Sequence, residues 1–382
     1  MYPLWVPDTN EGTHEGCPNR TEIHRPPMIR PKTDTLSVWT HTGHGLSAAE
    51  PHLTAFALAR RPAPLSRHPA WLTVLRSAFG HEGYALEARA DGRTCGFLPL
   101  SFLDTPLFGR FLVSLPYLNS NGVIAESPDV QAILVSRAVE LADELGVKHL
   151  ELRHETPIEH RHLTVTNTSK VHMRLPLPTC PGTFWKDLDP KVRNQVRKGE
   201  KNGFTVRWGG VELLDPFYTV LSENMRDLGT PVYGRRLFRT ILEAFPDDAE
   251  LCVLSQGEKA AAVALLLHGP GVTEVPTASS LRAFNPTCAN MLMYRHLIDR
   301  AIERRQQVFD FGRSTADGPT FKFKKQWGAE PQLAAWQYHV RVGSAGEMRP
   351  DHPRYRRAIE LWQRLPVKVT QVLGPMIVRG IP

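Results

Sequence analysis

Glu250-Leu251-Cys252-Val253-Leu254-Ser255 is a short apolar run that turns at Gly257-Glu258, and Ala260–His268 is a second that turns at Gly269-Pro270-Gly271. Apolar runs of this length, closed by glycine-bearing turns, read as buried strands. Val272–Ser279 supplies a third strand. Met291, Tyr294, Ile298, Ala301 and Ile302 then fall on one side of a helix from about Ala289 to Arg305, and Gln307–Phe311 is a strand again. Strand–strand–strand–helix–strand predicts a mixed α/β unit.

The same order occurs once earlier. Tyr84–Ala90 turns at Asp91-Gly92 into Thr94–Leu103, and Arg110–Pro116 follows. A helix over Ser127–Leu145 places Leu134, Ala138, Leu141 and Leu145 on one face, Gly146 ends it, and Val147–Leu152 is the closing strand. Helical material precedes each copy, at Pro69–Phe79 and at Asp215–Phe245. The spacing fits a domain duplication rather than a solenoid. The reading divides the chain into a poorly ordered leader (1–33), a first domain (34–175), a second domain (176–345) and a tail (346–382).

Between the copies lies Asp189-Pro190-Lys191-Val192-Arg193-Asn194-Gln195-Val196-Arg197-Lys198-Gly199-Glu200-Lys201-Asn202-Gly203. Asp189 caps a helix, Pro190 suits its first turn, and Asn202-Gly203 stops it, which predicts a helix over 190–202. Arg193, Arg197 and Lys201 recur every four residues on one face, while Val192 and Val196 turn inward. Such a row of cations suits a phosphate-rich ligand, although a solvated surface helix shows the same row. Arg193, Arg197 and Lys198 are the expected phosphate contacts.

A second cationic segment follows the last strand: Phe309-Asp310-Phe311-Gly312-Arg313-Ser314, then Phe321-Lys322-Phe323-Lys324-Lys325-Gln326-Trp327-Gly328. The alternation in Phe321–Lys324 predicts an extended or turning segment, with Phe323 and Trp327 anchoring it so that Lys324 or Lys325 projects.

Composition narrows the classes. The 382 residues carry 46 Lys+Arg against 39 Asp+Glu, a net charge of +7, which favours anionic partners without the long basic blocks of a dedicated nucleic-acid arm. Cys17, Cys95, Cys180, Cys252 and Cys288 are far apart and odd in number, so they read as reduced, mostly buried thiols. The scattered histidines lack metal-site spacing. No signal peptide and no membrane-length apolar run is legible, which places the protein in the cytoplasm.

Taken together, Lys191–Lys198, Asn224-Met225-Arg226-Asp227-Leu228-Gly229-Thr230-Pro231-Val232-Tyr233, Phe309–Ser314 and Phe321–Gly328 resemble the FemAB family. Phe108-Gly109-Arg110 and Leu112–Pro116 add to the likeness, which is strongest for the FemAB-like proteins associated with exosortase/PEP-CTERM gene systems. The resemblance covers roughly Pro69 to Val340. It implies an α/β (α+β) fold of two tandem GNAT-like acyltransferase domains, each a mixed sheet with flanking helices. It also implies transfer of an aminoacyl or acyl group to an amine of a phosphate-bearing envelope precursor, from peptidoglycan or exopolysaccharide synthesis. One departure is Tyr117–Gly122, where the family pattern has a tighter Asn-Tyr-Gly-Gly turn.

Such a transfer needs no metal or resident cofactor; the acyl donor, aminoacyl-tRNA or acyl-CoA, is a co-substrate. Lys324 is the first choice for an electrophilic role, with Lys325 its rival. Asp310 is the nearest carboxylate to take the amine proton, or else pairs with Arg313 or another cation. Arg313 is placed to grip a phosphate or carboxylate, and Arg226 and Tyr233 flank the Gly229-Thr230-Pro231 turn, which either lines the acceptor site or simply sets a break between two helices. Two other classes compete, an acetyl-CoA-dependent N-acetyltransferase and a non-catalytic anion-binding module. The Arg/Gln-x-x-Gly-x-Gly/Ala pyrophosphate loop of the first is not found. In the tail, Leu361–Pro382 offers apolar residues beside Arg364, Lys368 and Arg379. That pattern fits packing on the second domain or resting on the inner membrane face, with a helix break at Gly374-Pro375.

Overall fold

The computed structural model describes residues 36–106, 108–344 and 356–381. The expected leader and the start of the tail lie outside them. The first half runs β1 (Ser37–His41), α1 (His44–Ala57), α2 (Trp71–Phe79), β2 (Glu82–Ala90), β3 (Arg93–Thr105), β4 (Gly109–Val113), β5 (Ile124–Ala125), α3 (Pro128–Glu144), β6 (His149–His154) and β7 (Val165–Asn167). The second begins with β8 (Lys170–Pro176), α4 (Pro181–Asp187), α5 (Pro190–Glu200), β9 (Phe204–Gly209), α6 (Leu214–Leu228) and α7 (Arg235–Ala244). It continues through β10 (Ala249–Gln256), β11 (Lys259–Gly269), β12 (Val272–Ser280), α8 (Ala289–Glu303), β13 (Val308–Thr315), α9 (Pro319–Lys325), β14 (Glu330–Leu333), β15 (Ala335–Val340), α10 (Arg356–Trp362) and α11 (Val367–Val378).

Two mixed sheets result. One has the order β1-β2-β3-β4-β6-β15-β7, the other β14-β8-β13-β12-β11-β10-β9. Each is antiparallel except for a single parallel pair, β4 with β6 and β12 with β13, joined across the long helices α3 and α8. A parallel pair needs such a crossover, and the apolar faces of these helices supply it. Leu134, Ala138 and Leu141 of α3 are buried, as are Met291, Tyr294, Ile298, Ala301 and Ile302 of α8.

The sheets are also interlaced. β15, at the end of the second half, crosses to pair with β6 and β7 of the first sheet, whereas β8, which opens the second half, stays in the second sheet between β13 and β14. One apolar cluster runs through both halves, from Leu53, Trp71 and Phe97 to Phe217, Leu265 and Phe309.

Two local expectations are corrected. Phe321–Lys324 is helical, because Gly318-Pro319 opens α9 and Phe321 and Lys324 then share its inner face at a spacing of three. α11 also continues through Gly374-Pro375, with Pro375 inside it. Of the cysteines, Cys95 and Cys252 are buried, Cys288 is half-buried and Cys180 is exposed; all four are free thiols.

Candidate active site

The parallel pair of the second half is short. β12 and β13 pair at Val272↔Val308, Thr273↔Phe309 and Glu274↔Asp310, and then part. The first half repeats the arrangement at Phe111↔His149, Leu112↔Leu150 and Val113↔Glu151. Counted along these ladders, Glu151 corresponds to Asp310.

In the first half the chain fills its own opening. Ser114 N–H donates to the Glu151 carbonyl and Asn121 N–H to the Arg153 carbonyl, each at 2.9 Å. Arg153 is fully buried, pairs with Glu151 at 2.7 Å and donates to the Leu118 carbonyl at 2.7 Å. Tyr117–Gly122 therefore closes this end of the first sheet.

The second half differs by one residue. The register of β13 against β8 shifts between Asp310 and Arg313, a β-bulge. Gly312 sits there at φ 75°, a conformation that favours glycine, and a Cβ on it would lie 2.9 Å from Asn119 Nδ2 and displace that side chain. Asp310 accepts from Gly312 N–H at 2.7 Å and from Arg174 Nε at 2.9 Å. Its expected partner Arg313 has been turned away by the extra residue.

Arg313 stacks instead on Trp336 of β15, with its Cζ 3.3 Å from the ring centroid; Arg153 lies 4.0 Å from the same ring. Its Nε is buried without a partner, and among the described residues it forms no ion pair. Burial and the Arg153 guanidinium lower its pKa, yet a guanidinium stays charged near neutrality. Glu151 acts on it from a distance in the opposite sense, but among the described residues no carboxylate lies within ion-pair reach, so this half-buried cation is open to an anion.

Lys324 is buried rather than projecting. Its Nζ donates to the carbonyls of Gly312 (3.1 Å) and Arg313 (3.0 Å), which ties α9 to the bulge. Burial lowers its pKa to about 8. Lys325 points to the other side, into a shallow 430 Å³ cavity with Asp187, Asp189 and Lys191.

Around the bulge stand groups that the sequence did not single out. Glu274, beside Asp310, accepts from Ser66 N–H at 2.9 Å, and burial together with Asp310 raises its pKa to about 7. Arg174 joins Asp310 to Glu155 (2.6 Å), whose pKa its guanidinium lowers to about 2 against the cost of burial. Glu155 and Arg67 line two adjoining cavities of 230 and 160 Å³. In the smaller, the Gln337 carboxamide oxygen accepts from Ile158 N–H at 2.7 Å, so His154 Nδ1, at 2.9 Å, must be its second donor. His154 Nε2 then presents a lone pair with no partner, and burial lowers the ring's pKa to about 4.

The other expected residues lie elsewhere. Asp189 caps α5 through Lys191 N–H (2.7 Å), and Val192, Val196 and Gly199 seat that helix on α8. Arg193, half-buried, and Arg197 and Lys198, both exposed, form no ion pair among the described residues. Arg226 is engaged by Asp227 (2.7 Å) and by the Leu365 carbonyl (3.1 Å). Tyr233 packs against Phe79 and Tyr117 and lines an apolar cavity of 70 Å³ between the halves. Lys324, Arg313 and Asp310 thus meet, while Arg226 and Tyr233 belong to the seat of the tail and to the seam.

His41, His52 and Glu87 also approach one another in the first half. Arg89 also closes on Glu87 (2.8 Å) and His52 (3.3 Å).

Residues 190–325 match the acetyltransferase (GNAT) domain family. The fold is GNAT-like and in tandem. The structure is similar to the crystal structure of FemX, with TM-score 0.61, 14% identity, and 81% of this chain and 98% of that chain covered. It is also similar to the C-terminal domain of a putative lysylphosphatidylglycerol synthetase from Agrobacterium fabrum, with TM-score 0.53, 11% identity, and 87% and 97% covered. No curated protein sequence matches significantly. The GNAT match begins at the first turn of α5 and ends at Lys325, so it contains the basic helix, the parting strands, the bulge and α9.

Proposed function

We propose that the protein is an acyltransferase of the FemAB type. It moves an aminoacyl or acyl group from tRNA or CoA to an amine of a phosphate-bearing cell-envelope precursor, in the setting of peptidoglycan or of exosortase-linked exopolysaccharide synthesis. The observation that carries this reading is Arg313, a cation without a carboxylate partner at the point where β12 and β13 part. The name of the second similar structure, which joins a lysyl group to a phospholipid, supports aminoacyl transfer to a phosphate-bearing acceptor.

In the reaction a neutral amine attacks the donor carbonyl. The C–N bond forms, the ester or thioester bond breaks, and the amine proton passes to the departing hydroxyl or thiol. Arg313 holds the donor phosphate or the oxygen on which charge grows. Lys324 and Asp310 are positioning residues, since together they hold the bulge that presents Arg313. Glu274, with a pKa near neutrality, is the group suited to carry the proton. Arg193, Arg197 and Lys198 supply sequence-independent attraction for a polyanionic donor.

The test is to incubate the protein with radiolabelled aminoacyl-tRNA or acyl-CoA and an amine-bearing envelope precursor. Label from aminoacyl-tRNA on the amine supports the reading. Label from acetyl-CoA alone would favour an N-acetyltransferase, the description that the matched family carries. Label from neither would favour a binding module.

A further inference from the structure

α11 has two apolar faces, and the described residues cover only one. Thr370, Gly374 and Val378 are buried. Gly374 sits so close that a Cβ there would lie 2.8 Å from the Val232 carbonyl oxygen. Gln371 Nε2 donates to Ser222 Oγ of α6 at 2.8 Å, and the Arg379 carbonyl accepts from the Tyr117 hydroxyl at 2.9 Å. The helix is therefore fixed to both halves.

On the opposite face Val369, Val372, Leu373 and Met376 are 38%, 66%, 40% and 72% exposed. Their spacing of three, four and seven makes one continuous stripe. Pro375 leaves the stripe intact because the helix runs through it. Leu361 of α10, 65% exposed, adds to the apolar surface that this tail presents.

The charge carried by Leu361–Pro382 itself has one sign. Arg364, Lys368 and Arg379 are exposed, and no Asp or Glu occurs from Leu361 to Pro382. A second copy seated on the stripe by a two-fold axis would set these cations against their own images without an acid between them. An anionic lipid surface offers apolar depth for the stripe and negative charge for its rim. Among the described residues no helix is long and apolar enough to cross a membrane, so the contact is peripheral.

We propose that the outer face of α11 seats the protein on an anionic bilayer surface. The assignment does not rest on the proposed reaction, and its test needs no substrate. Full-length protein is floated with phosphatidylcholine vesicles, with and without phosphatidylglycerol, at low and high salt. The wild type should float with the anionic vesicles only, and less so at high salt. Val372→Asp and Met376→Asp should each lower the bound-to-free ratio at least about tenfold, because each buries a charge in the acyl boundary. Arg364→Glu with Lys368→Glu should lower it comparably, because both remove attraction to the lipid phosphates. Met376 is so exposed that its variant keeps the fold, and the melting temperature checks this. Failure of the wild type to float, equal flotation of the Asp variants, or a dimer in solution that Met376→Asp dissociates would overturn the proposal.

Discussion

Arg153 and Arg313 occupy corresponding places in the two halves and stack on the same tryptophan, yet among the described residues only Arg153 forms an ion pair. Glu151 holds Arg153 two residues along a regular strand. Asp310, in the position of Glu151, is followed by a bulge, and it holds Arg174 and Gly312 N–H instead. One inserted residue converts a structural ion pair into an anion-seeking guanidinium. The first half fills the point where its parallel strands part with its own loop, and in the proposed reading the second half uses that point for a ligand. The proposed function thus gives the two copies of one arrangement different roles, the first closed by its own ion pair and the second carrying Arg313.

The sharpest way to break this comparison is to remove each arginine. Arg153→Met orphans a fully buried Glu151 and should cost about 3–5 kcal/mol in denaturant unfolding. Arg313→Met removes a cation that has no carboxylate and should leave stability equal or higher. Equal losses in the two variants would mean that both are structural.

Lys324 tests how the bulge is held. Lys324→Met should lower turnover because the bulge that presents Arg313 is no longer held, with a melting temperature near that of the wild type, whereas Lys325→Met should change it little. Its pH profile separates two roles. The ammonium is present below a pKa of about 8 and is lost as pH rises through it. The neutral amine still has two N–H groups for the two carbonyls, so a holding role predicts no fall in rate near pH 8. A fall that disappears in Lys324→Met would instead give its charge a direct part in the reaction.

The strands and long helices of both halves were legible because their apolar runs are local and end at glycine turns. The interlacing was not, since nothing within Ala335–Val340 or Lys170–Pro176 says which distant strand each will join. For the same reason Trp336 and Arg174, carried by those strands, escaped notice while Arg313 and Lys324 did not. Asp310 was visible as a carboxylate, but its partner depends on a one-residue register shift. α9 was misread because Phe-Lys-Phe-Lys imitates a period of two, whereas Gly318-Pro319 fixes a helical start.

Glu274 marks the second copy in a different way. Its pKa is raised from 4.5 to about 7, so the folded state binds the extra proton between those values. Its contribution to stability is complete below about pH 4.5 and is lost as pH rises through about 7, a change of about 3 kcal/mol. Glu274→Gln should flatten that part of the stability–pH curve, and an unchanged slope would remove Glu274 from the proton path.

The smallest effect concerns α5. Replacing Arg193, Arg197 and Lys198 by Ala should weaken binding of aminoacyl-tRNA modestly and reduce the slope of log affinity against log salt by about 2. An unchanged slope would return this helix to a solvated surface.

The central claim is that Arg313 serves the ligand and not the fold. The direct measurement is single-turnover transfer of label from donor to amine by wild type and Arg313→Gln, at a temperature where both are fully folded. The account predicts a rate at least about 100-fold lower for Arg313→Gln, the scale of one lost electrostatic contact in the transition state. Transfer at the wild-type rate would contradict it.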